Sequence, residues 1–191
     1  MVSHTAVIGR TGTGKTYYLK QQLKKFDKLN VKCLVMDIEG DFTGIKRTNL
    51  KNLKEDFKRH NVLRVQGSEE KEKQNMIYDF VFKNLKNIIF VIDEINSQGG
   101  REKSLNPSLE RLFIRGRKRG IKIIVAGQRA SLISKTILSS CTIHVLKKQG
   151  WENDYKVYNQ LNKHVSDLIK DSKNKYVTTV LKDGILYKLY D

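Results

Sequence analysis

A glycine-rich segment at residues 9–16 dictates the local course of the backbone. It has the pattern G-x-x-x-x-G-K-[ST], and it lies between a short apolar run at residues 5–8 and a helical pattern at residues 15–28. Glycines at these positions let the chain curl so that successive N–H groups point at one anion, and the helix that follows adds its positive end. A strand, a phosphate-sized loop and a helix in this order indicate an α/β fold.

The expected ligand of this loop is ATP with Mg²⁺. Lys15 is predicted to reach the β and γ phosphates, and the Thr16 hydroxyl is predicted to ligate the metal. The backbone of the whole loop is predicted to enclose the phosphates, so the binding set is Gly9, Arg10, Thr11, Gly12, Thr13, Gly14, Lys15 and Thr16.

A second apolar run ends in two acids. Residues 88–92 are all apolar, and Asp93 and Glu94 follow them directly. A continuous apolar run of this length is typical of a central strand that is buried on both faces, so the acids lie at its carboxyl end. We expect Asp93 to hold Mg²⁺ through water and Glu94 to orient and polarise an attacking water. The pair favours hydrolysis over the alternative of a small-molecule phosphotransferase.

A glutamine follows another apolar run. Gln128 comes just after residues 121–126, which form a predicted strand beside the one that ends in Asp93. A polar side chain in this place is expected to contact the γ phosphate. The alternative is that it only caps a loop.

The rest of the chain alternates β-branched runs with helical patterns, which is typical of parallel βαβ units. Further strands are predicted at residues 31–37, 62–65 and 142–146, and helices at 70–85, 108–119, 151–161 and 165–169, with a polar stretch before residue 61. Residues 175–181 and 185–190 are predicted to form a terminal hairpin around Asp183 and Gly184. The expected fold is α/β, with a mainly parallel central sheet flanked by helices, and residues 1–191 are expected to form a single domain.

Positive charge is concentrated in the middle of the chain. The net charge is +17, and residues 96–148 carry 12 basic and only two acidic residues. A local excess of this size repels itself unless an anion neutralises it, and this favours a polyanionic partner such as DNA.

The predicted helix at residues 108–119 separates apolar from basic side chains. One stripe consists of Leu109, Leu112, Phe113 and Gly116. The opposite side carries Arg111, Arg115 and Lys118, which we expect to point away from the sheet. This basic side is interpreted as an arginine finger for a neighbouring subunit, as a contact with DNA phosphates, or as an ordinary solvated surface.

The loop at residues 96–106 carries glycines and basic residues. Its composition is suited to following a phosphate backbone and lining a pore, and the alternative is an ordinary surface loop. With the basic helix, it supplies the candidate DNA-binding residues Arg101, Lys103, Arg111 and Lys118.

Together these segments resemble the FtsK/HerA superfamily of DNA-pumping ATPases. The loop and the Asp93-Glu94 pair are the Walker A and Walker B motifs that many P-loop ATPases share. Three more segments resemble this superfamily in particular: residues 37–42 (Asp-Ile-Glu-Gly-Asp-Phe), residues 115–120 (Arg-Gly-Arg-Lys-Arg-Gly) and residues 128–129 (Gln-Arg). The resemblance covers most of residues 5–146, and the last 45 residues match weakly.

The resemblance implies a RecA-like P-loop NTPase fold and a ring, expected to be a hexamer. Within the superfamily, the short chain is similar to the genome-packaging ATPases of viruses with an internal membrane. It therefore implies a translocase that pumps double-stranded DNA into a capsid, with a capsid or portal-vertex protein as a further partner. The expected location is the host cytoplasm or the packaging vertex of the virion. Arg117 or Arg115 is the expected arginine finger.

Two alternatives keep the nucleotide site but change the task. One is a conjugative or filamentous-phage DNA export ATPase, although such relatives usually carry membrane segments, and no apolar run here approaches the roughly 18 residues that a span needs. The other is a switch module in which ATP controls the binding of a partner without translocation.

Overall fold

The computed structural model describes residues 3–190, and within them nine strands form one sheet in the order β3-β4-β2-β5-β6-β1-β7-β8-β9. The strands are β1 His4–Ile8, β2 Cys33–Asp37, β3 Lys46–Arg47, β4 Val62–Gln66, β5 Ile89–Ile92, β6 Lys122–Gly127, β7 Cys141–Lys147, β8 Thr178–Lys182 and β9 Ile185–Tyr190. Strands β1 to β7 pair in parallel, and β8 and β9 add an antiparallel hairpin to β7. The predicted fold class is confirmed.

Helices cover both faces of this sheet. They are α1 Lys15–Lys28, α2 Leu53–Arg59, α3 Lys71–Asn84, α4 Pro107–Arg115, α5 Lys135–Ser140, α6 Glu152–Leu161 and α7 Val165–Asp171. Every residue of β1, β2 and β5 is buried, which explains why the apolar residues of these strands are consecutive and do not alternate with polar ones. Over residues 3–190, no helix has the length and apolar character needed to cross a membrane.

The strand order brings four loops to one edge of the sheet. Strands β2, β5, β6 and β1 are neighbours and run parallel. Their carboxyl ends therefore lie side by side, and each leads into a segment that the sequence identifies as functional. This edge is where an open α/β sheet binds its ligands.

Two helices were missing from the sequence prediction. Residues 38–61, expected to be a polar stretch, contain β3 and α2, and α5 follows β6. In α2 only Leu53 is fully buried, with Phe57 partly buried one turn later, so the apolar signal of this seven-residue helix is short. Helix α5 is six residues long and begins at a Ser134 cap, where the side chain accepts from the N–H of Thr136.

The basic helix is shorter than predicted. It starts at Pro107, where the Asn106 side chain caps the N–H groups of the first turn, and its α-helical part ends at Arg115. A 3₁₀ turn, Gly116–Arg119, continues the chain to Gly120, whose φ of 71° lies in the left-handed region. The predicted packing stripe is confirmed, because Leu109, Leu112, Phe113 and Gly116 are all buried.

Two predicted strands also differ from the observed ones in their bounds. Strand β2 begins at Cys33 and not at residue 31, and β8 covers Thr178–Lys182 and not residues 175–181. The predicted hairpin turn is confirmed: Asp183 and Gly184 have φ values of 51° and 77°, as a two-residue turn between right-twisted strands requires.

Candidate active site

The glycine-rich loop curls between β1 and α1. Gly12 and Gly14 have φ values of 78° and 83°, a region where side chains with a Cβ are strained. The carbonyl of Arg10 holds the curl together, since it accepts from Thr13 Oγ1 at 2.8 Å and from Lys15 Nζ at 3.2 Å. Hydrogen bonds within the loop itself therefore stabilise its curled shape.

Lys15 is buried and faces the two Walker B acids. Burial lowers the pKa of its ammonium, and the charges of Glu94 and Asp93 partly oppose that effect. The lysine therefore lies close enough to both carboxylates to feel their charge, although they are almost 80 positions away in the sequence.

The two acids lie at the end of β5, as predicted. Burial raises the pKa of Asp93 to about 7, and the neighbouring charges of Glu94, Asp41 and Asp37 add to the rise. Burial also raises the pKa of Glu94, while a hydrogen bond with Gln128 and the charge of Lys15 oppose it. The raised pKa values mean that the ionised carboxylates are poorly stabilised by their surroundings. A divalent cation bound between them would stabilise the ionised form.

The backbone at Glu94 is unusual. Its φ of 53° places a residue with a long side chain in the left-handed region, where such residues are uncommon. Strain of this kind persists where the surrounding structure imposes it, and it is found at functional sites.

The segment after β2 folds around one buried acid. Asp37 accepts from the N–H groups of Gly40, Asp41 and Phe42 at 2.9, 3.1 and 3.2 Å, and it pairs with Arg64 Nη1 at 3.1 Å. These bonds fix a turn that directs Asp41 toward the phosphate loop.

A magnesium ion fits this edge of the sheet. Thr16 Oγ1 lies 3.5 Å from Asp41 Oδ2, and Asp93 supplies a second carboxylate nearby. Over residues 3–190, no three His, Cys, Asp or Glu side chains converge on a metal. A hydroxyl and one or two carboxylates, completed by water and nucleotide phosphates, form a typical Mg²⁺ ligand set, and Thr16, Asp41 and Asp93 are the residues that would supply the protein part of it.

Gln128 lies across the cavity from the loop. Its Oε1 accepts from Thr11 Oγ1 at 2.9 Å, and its N–H donates to Asn96 Oδ1 at 3.2 Å. Asn96 Nδ2 also donates to the carbonyl of Arg129 at 3.4 Å. The loop after β5 therefore holds the end of β6 in place.

Eight of the predicted site residues line one cavity of about 550 Å³. They are Thr11, Gly12, Gly14, Lys15, Thr16, Asp93, Glu94 and Gln128. Gly9, Arg10 and Thr13 belong to the same loop but do not line the cavity. At Gly9 an added Cβ would lie 2.6 Å from Lys147 Cβ, so the close packing of β1 on β7 requires glycine there.

Sequence reasoning missed several residues around this cavity. Tyr17 and Tyr176 line it, and Lys147 lies buried beside the loop. The sequence could have indicated Lys147, because a charged residue at the end of an apolar strand is a candidate for a functional site. No feature of the sequence indicates Tyr176, since its position depends on how the C-terminal hairpin returns to the phosphate loop.

The candidate finger residues lie at the opposite end of the sheet. Arg117 donates to the carbonyl of Ser140, just before β7, and its charge contributes, after burial, to lowering the pKa of His4 to about 4. His4 begins β1, whereas the phosphate loop follows the end of β1. Arg115 is exposed on the same part of the chain. Neither arginine reaches the cavity of its own subunit.

The four candidate DNA-binding residues have different surroundings. Arg111, a candidate for contact with DNA phosphates, is half-buried. It pairs with Asp79 on α3 and stacks over a neighbouring aromatic ring. Arg101, Lys103 and Lys118 are exposed. Arg101 Nε donates to the carbonyl of Asn96 at 2.8 Å, and this hydrogen bond restrains the position of the exposed guanidinium group.

The loop at residues 96–106 is largely anchored. Gln98 is fully buried, and its side-chain amide donates to the carbonyl of Asp93 and, at 3.4 Å, to that of Met36. Tyr78 donates from its hydroxyl to the carbonyl of Gln98. Only residues 101–104 form a continuous exposed stretch, so the part of the loop available for a partner is short.

Comparisons with known proteins agree with this geometry. The family model described as "Helicase HerA, central domain" matches residues 1–182. Protein P9 of Pseudoalteromonas phage PM2 is 26% identical over 144 residues, which is 72% of this chain and 65% of P9, so the match spans less than two thirds of that protein.

Solved structures share the fold. The genome packaging NTPase B204 from Sulfolobus turreted icosahedral virus 2, in complex with ATP-gammaS, matches 100% of this chain and 97% of its own with a TM-score of 0.84 and 12% identity. The pCW3 conjugation coupling protein TcpA matches 99% of this chain and 60% of its own with a TM-score of 0.67 and 18% identity. The chain belongs to the HerA central-domain family of the FtsK/HerA superfamily of P-loop ATPases.

Proposed function

We propose that this protein is an ATPase that translocates double-stranded DNA and serves as the genome-packaging motor of a virus. The observation that carries the proposal is the convergence of the phosphate loop, two buried carboxylates and Gln128 on one cavity. These groups come from three separate strands. Their arrangement suits the transfer of a phosphoryl group to water, because it holds a triphosphate opposite a carboxylate base.

The residues divide the work of hydrolysis. The loop N–H groups and Lys15 would hold the β and γ phosphates. Thr16 and Asp93 would hold a Mg²⁺ ion, which would neutralise the charge of those phosphates. Glu94 orients the attacking water and accepts its proton. Gln128 contacts both Glu94 and the loop, so it senses whether a γ phosphate is present.

A ring explains the distant arginines. Arg115 and Arg117 lie at the amino end of the sheet, away from their own cavity, and a finger from there acts on the site of a neighbouring subunit. Such a residue stabilises charge that develops on the transferred phosphate. The proposed assembly is a homo-oligomer, a hexamer in the form we favour.

Duplex DNA is the proposed polyanion. The exposed side chains of Arg101, Lys103 and Lys118 belong to the segment that carries most of the net positive charge. Contacts of this kind neutralise phosphates without reading sequence, as a motor that moves along any DNA requires.

The viral role is supported by the similarity to B204, a genome packaging NTPase by its printed description. The proposed location is the host cytoplasm or the packaging vertex of the virion, and the proposed second partner is a capsid or portal-vertex protein. A conjugative DNA transport ATPase is the second candidate, favoured by the fold similarity to TcpA, a conjugation coupling protein.

Phosphate release in the presence and absence of linear duplex tests the proposal. We expect turnover that needs Mg²⁺, that duplex stimulates, and that Lys15→Ala and Glu94→Gln each abolish. Glu94→Gln should still bind ATP, because the loop is intact. Lys163→Ala, an exposed lysine outside the site, is the matched control. Failure of the wild-type protein to bind Mg-ATP would reject the proposal.

A further inference from the structure

A groove lies along the edge strand β3. It has a volume of about 590 Å³, and its walls come from α1 on one side and from β3, the start of β4 and the end of α2 on the other. The residues assigned to phosphate, metal and attacking water do not line it. The groove is therefore a separate concave surface, with a size in the range of ligand-binding sites.

The floor of this groove is apolar. Leu23 and Phe42 are buried in the core between α1 and the sheet. Ile45 and Val62 pack against the same core but remain partly exposed at the base of the groove. An apolar side chain of a ligand would be removed from water by contact with this floor, which favours its binding.

The rim of the groove is basic. Lys20 and Lys24 lie one turn apart on α1, and Lys46 and Arg59 lie on the opposite wall. All four are exposed, and within the described part of the chain none of them forms an ion pair. Asp27 is the one acid among the residues that line the groove. Charge of one sign on both walls favours a ligand that carries acids.

The groove follows an open edge of the sheet. Strand β3 is the outermost strand, and β4 is its neighbour on the inner side. The N–H of Thr48 donates to the carbonyl of Arg64 at 2.8 Å, and successive residues of a strand direct their backbone groups to opposite sides. The N–H and C=O of Arg47 therefore face away from β4, where the backbone of an added strand can pair with them.

A second concave surface lies on the other face of β3. It has a volume of about 610 Å³, and Lys46 and Arg47 line it together with Leu50, Val65 and Ile77. The three apolar residues belong to the core on the face of the sheet opposite α1. Because the side chains of a strand alternate between its faces, a strand added to β3 would direct them into the two spaces in turn.

We propose that β3 and the two spaces beside it bind an extended acidic segment of another protein, which adds a strand to the sheet and places apolar side chains in the grooves and carboxylates beside their cations. Duplex DNA fits this surface less well, because its phosphates lie on a convex surface and do not reach a recessed apolar floor. A second copy of this chain is a poor occupant, since each copy has a net charge of +17. The inference does not depend on the nucleotide site.

Binding of a labelled peptide of Glu-Glu-Val-Val repeats, followed by fluorescence anisotropy, tests this inference. As a strand, this peptide presents carboxylates and apolar side chains on both faces. A peptide of Glu-Glu-Ser-Ser repeats has the same charge but no apolar side chains, and we expect it to bind at least about 5-fold more weakly. Hydrogen exchange at the Arg47 amide should slow when the Glu-Glu-Val-Val peptide binds, because that N–H gains an acceptor.

Charge reversal locates the binding site. Lys24→Glu/Lys46→Glu should weaken binding of the Glu-Glu-Val-Val peptide by roughly 5-fold or more, since attractive contacts become repulsive. Lys163→Glu/Lys173→Glu makes the same change in net charge at exposed positions outside both grooves. This control should keep the affinity within about two-fold, because salt screens distant exposed charges.

Several outcomes would overturn the inference. They are absence of binding by the Glu-Glu-Val-Val peptide, equal binding of the two peptides, unchanged exchange at Arg47, and equal losses of affinity in the two double variants. Weaker binding of a short DNA duplex by Lys24→Glu/Lys46→Glu, with peptide binding unchanged, would also overturn it and would assign the surface to nucleic acid.

Discussion

Thr11 Oγ1 donates a 2.9 Å hydrogen bond to Oε1 of Gln128, so two residues 117 positions apart join the phosphate loop to the end of β6. Both side chains line the cavity, and Gln128 also contacts Glu94. The hydrogen bond therefore joins the end of β6 to the cavity in which the proposed function places the γ phosphate.

Replacing Gln128 should affect catalysis more than binding. We expect Gln128→Ala to lower kcat by about 100-fold, the usual effect of losing one positioned polar group in a reaction of charged species. The Kd for ATP should stay within about three-fold, because the loop and Lys15 are intact. Gln160→Ala, an exposed glutamine on α6, is the control. Steady-state phosphate release and nucleotide titration measure the two effects, and a normal kcat would contradict the assigned role.

Asp93 should make the nucleotide-free protein less stable at high pH. Burial and the neighbouring carboxylates raise its pKa from 3.8 to about 7. Between these values the folded protein holds a proton that the unfolded chain has released, so the free energy of unfolding falls as pH rises. We expect Asp93→Asn to have a higher Tm than the wild-type protein at about pH 8, and an equal Tm at about pH 4.

Thermal unfolding without nucleotide or Mg²⁺ at both pH values measures this difference. Asp167→Asn, an exposed acid on α7, controls for the loss of one negative charge and should show little pH dependence relative to wild type. A Tm difference between Asp93→Asn and wild type that is the same at both pH values would count against the raised pKa.

Asp154 should be essential for the position of the segment after Gln128. It is fully buried, pairs with Arg129 Nε at 2.8 Å, and accepts from the N–H and hydroxyl of Ser131 at 2.8 and 2.7 Å. The Arg129 side chain is 38% exposed, so water can replace its partner, but the N–H and hydroxyl of Ser131 would lose their acceptor. We expect Asp154→Ala to reduce the free energy of unfolding by about 2 kcal/mol, measured by urea denaturation. A loss below about 1 kcal/mol would contradict this reading.

DNA binding should depend on salt through the exposed loop and not through Arg111. The double variant Arg101→Ala/Lys103→Ala should reduce the slope of log Kobs against log salt by about 2, because two phosphate contacts are lost. Arg111→Ala should leave the slope unchanged, since its guanidinium is paired with Asp79. Fluorescence anisotropy with duplex at several salt concentrations measures both, and the reverse pattern would assign the contact to α4.

The sequence predicts those parts of the site in which the local backbone conformation or burial determines which amino acid can stand at a position. Gly12 and Gly14 are required by a left-handed backbone, and the acids Asp93 and Glu94 follow a strand that must be buried on both faces. These requirements act within a few residues, so the pattern alone places the loop and the carboxylates. The two-residue hairpin turn at Asp183 is predictable for the same reason.

The parts that sequence does not predict depend on strand order. Lys147 reaches the phosphate loop because β7 pairs with β1, and Tyr176 reaches it because β8 pairs with β7. The partner of Arg111 is Asp79, which lies on another helix and 32 positions away. No local pattern encodes such contacts. The identity of the arginine finger stays a prediction for the same reason, since the proposed finger acts on the site of a neighbouring subunit.

Single-molecule tracking of the assembled protein on a tethered linear duplex is the direct test of the motor. With Mg-ATP we predict directed movement along the DNA, whose velocity rises with ATP concentration and which Glu94→Gln stops without preventing DNA binding. Binding and release without directed displacement, at ATP concentrations that sustain hydrolysis, would contradict the account and would identify a nucleotide-controlled switch instead.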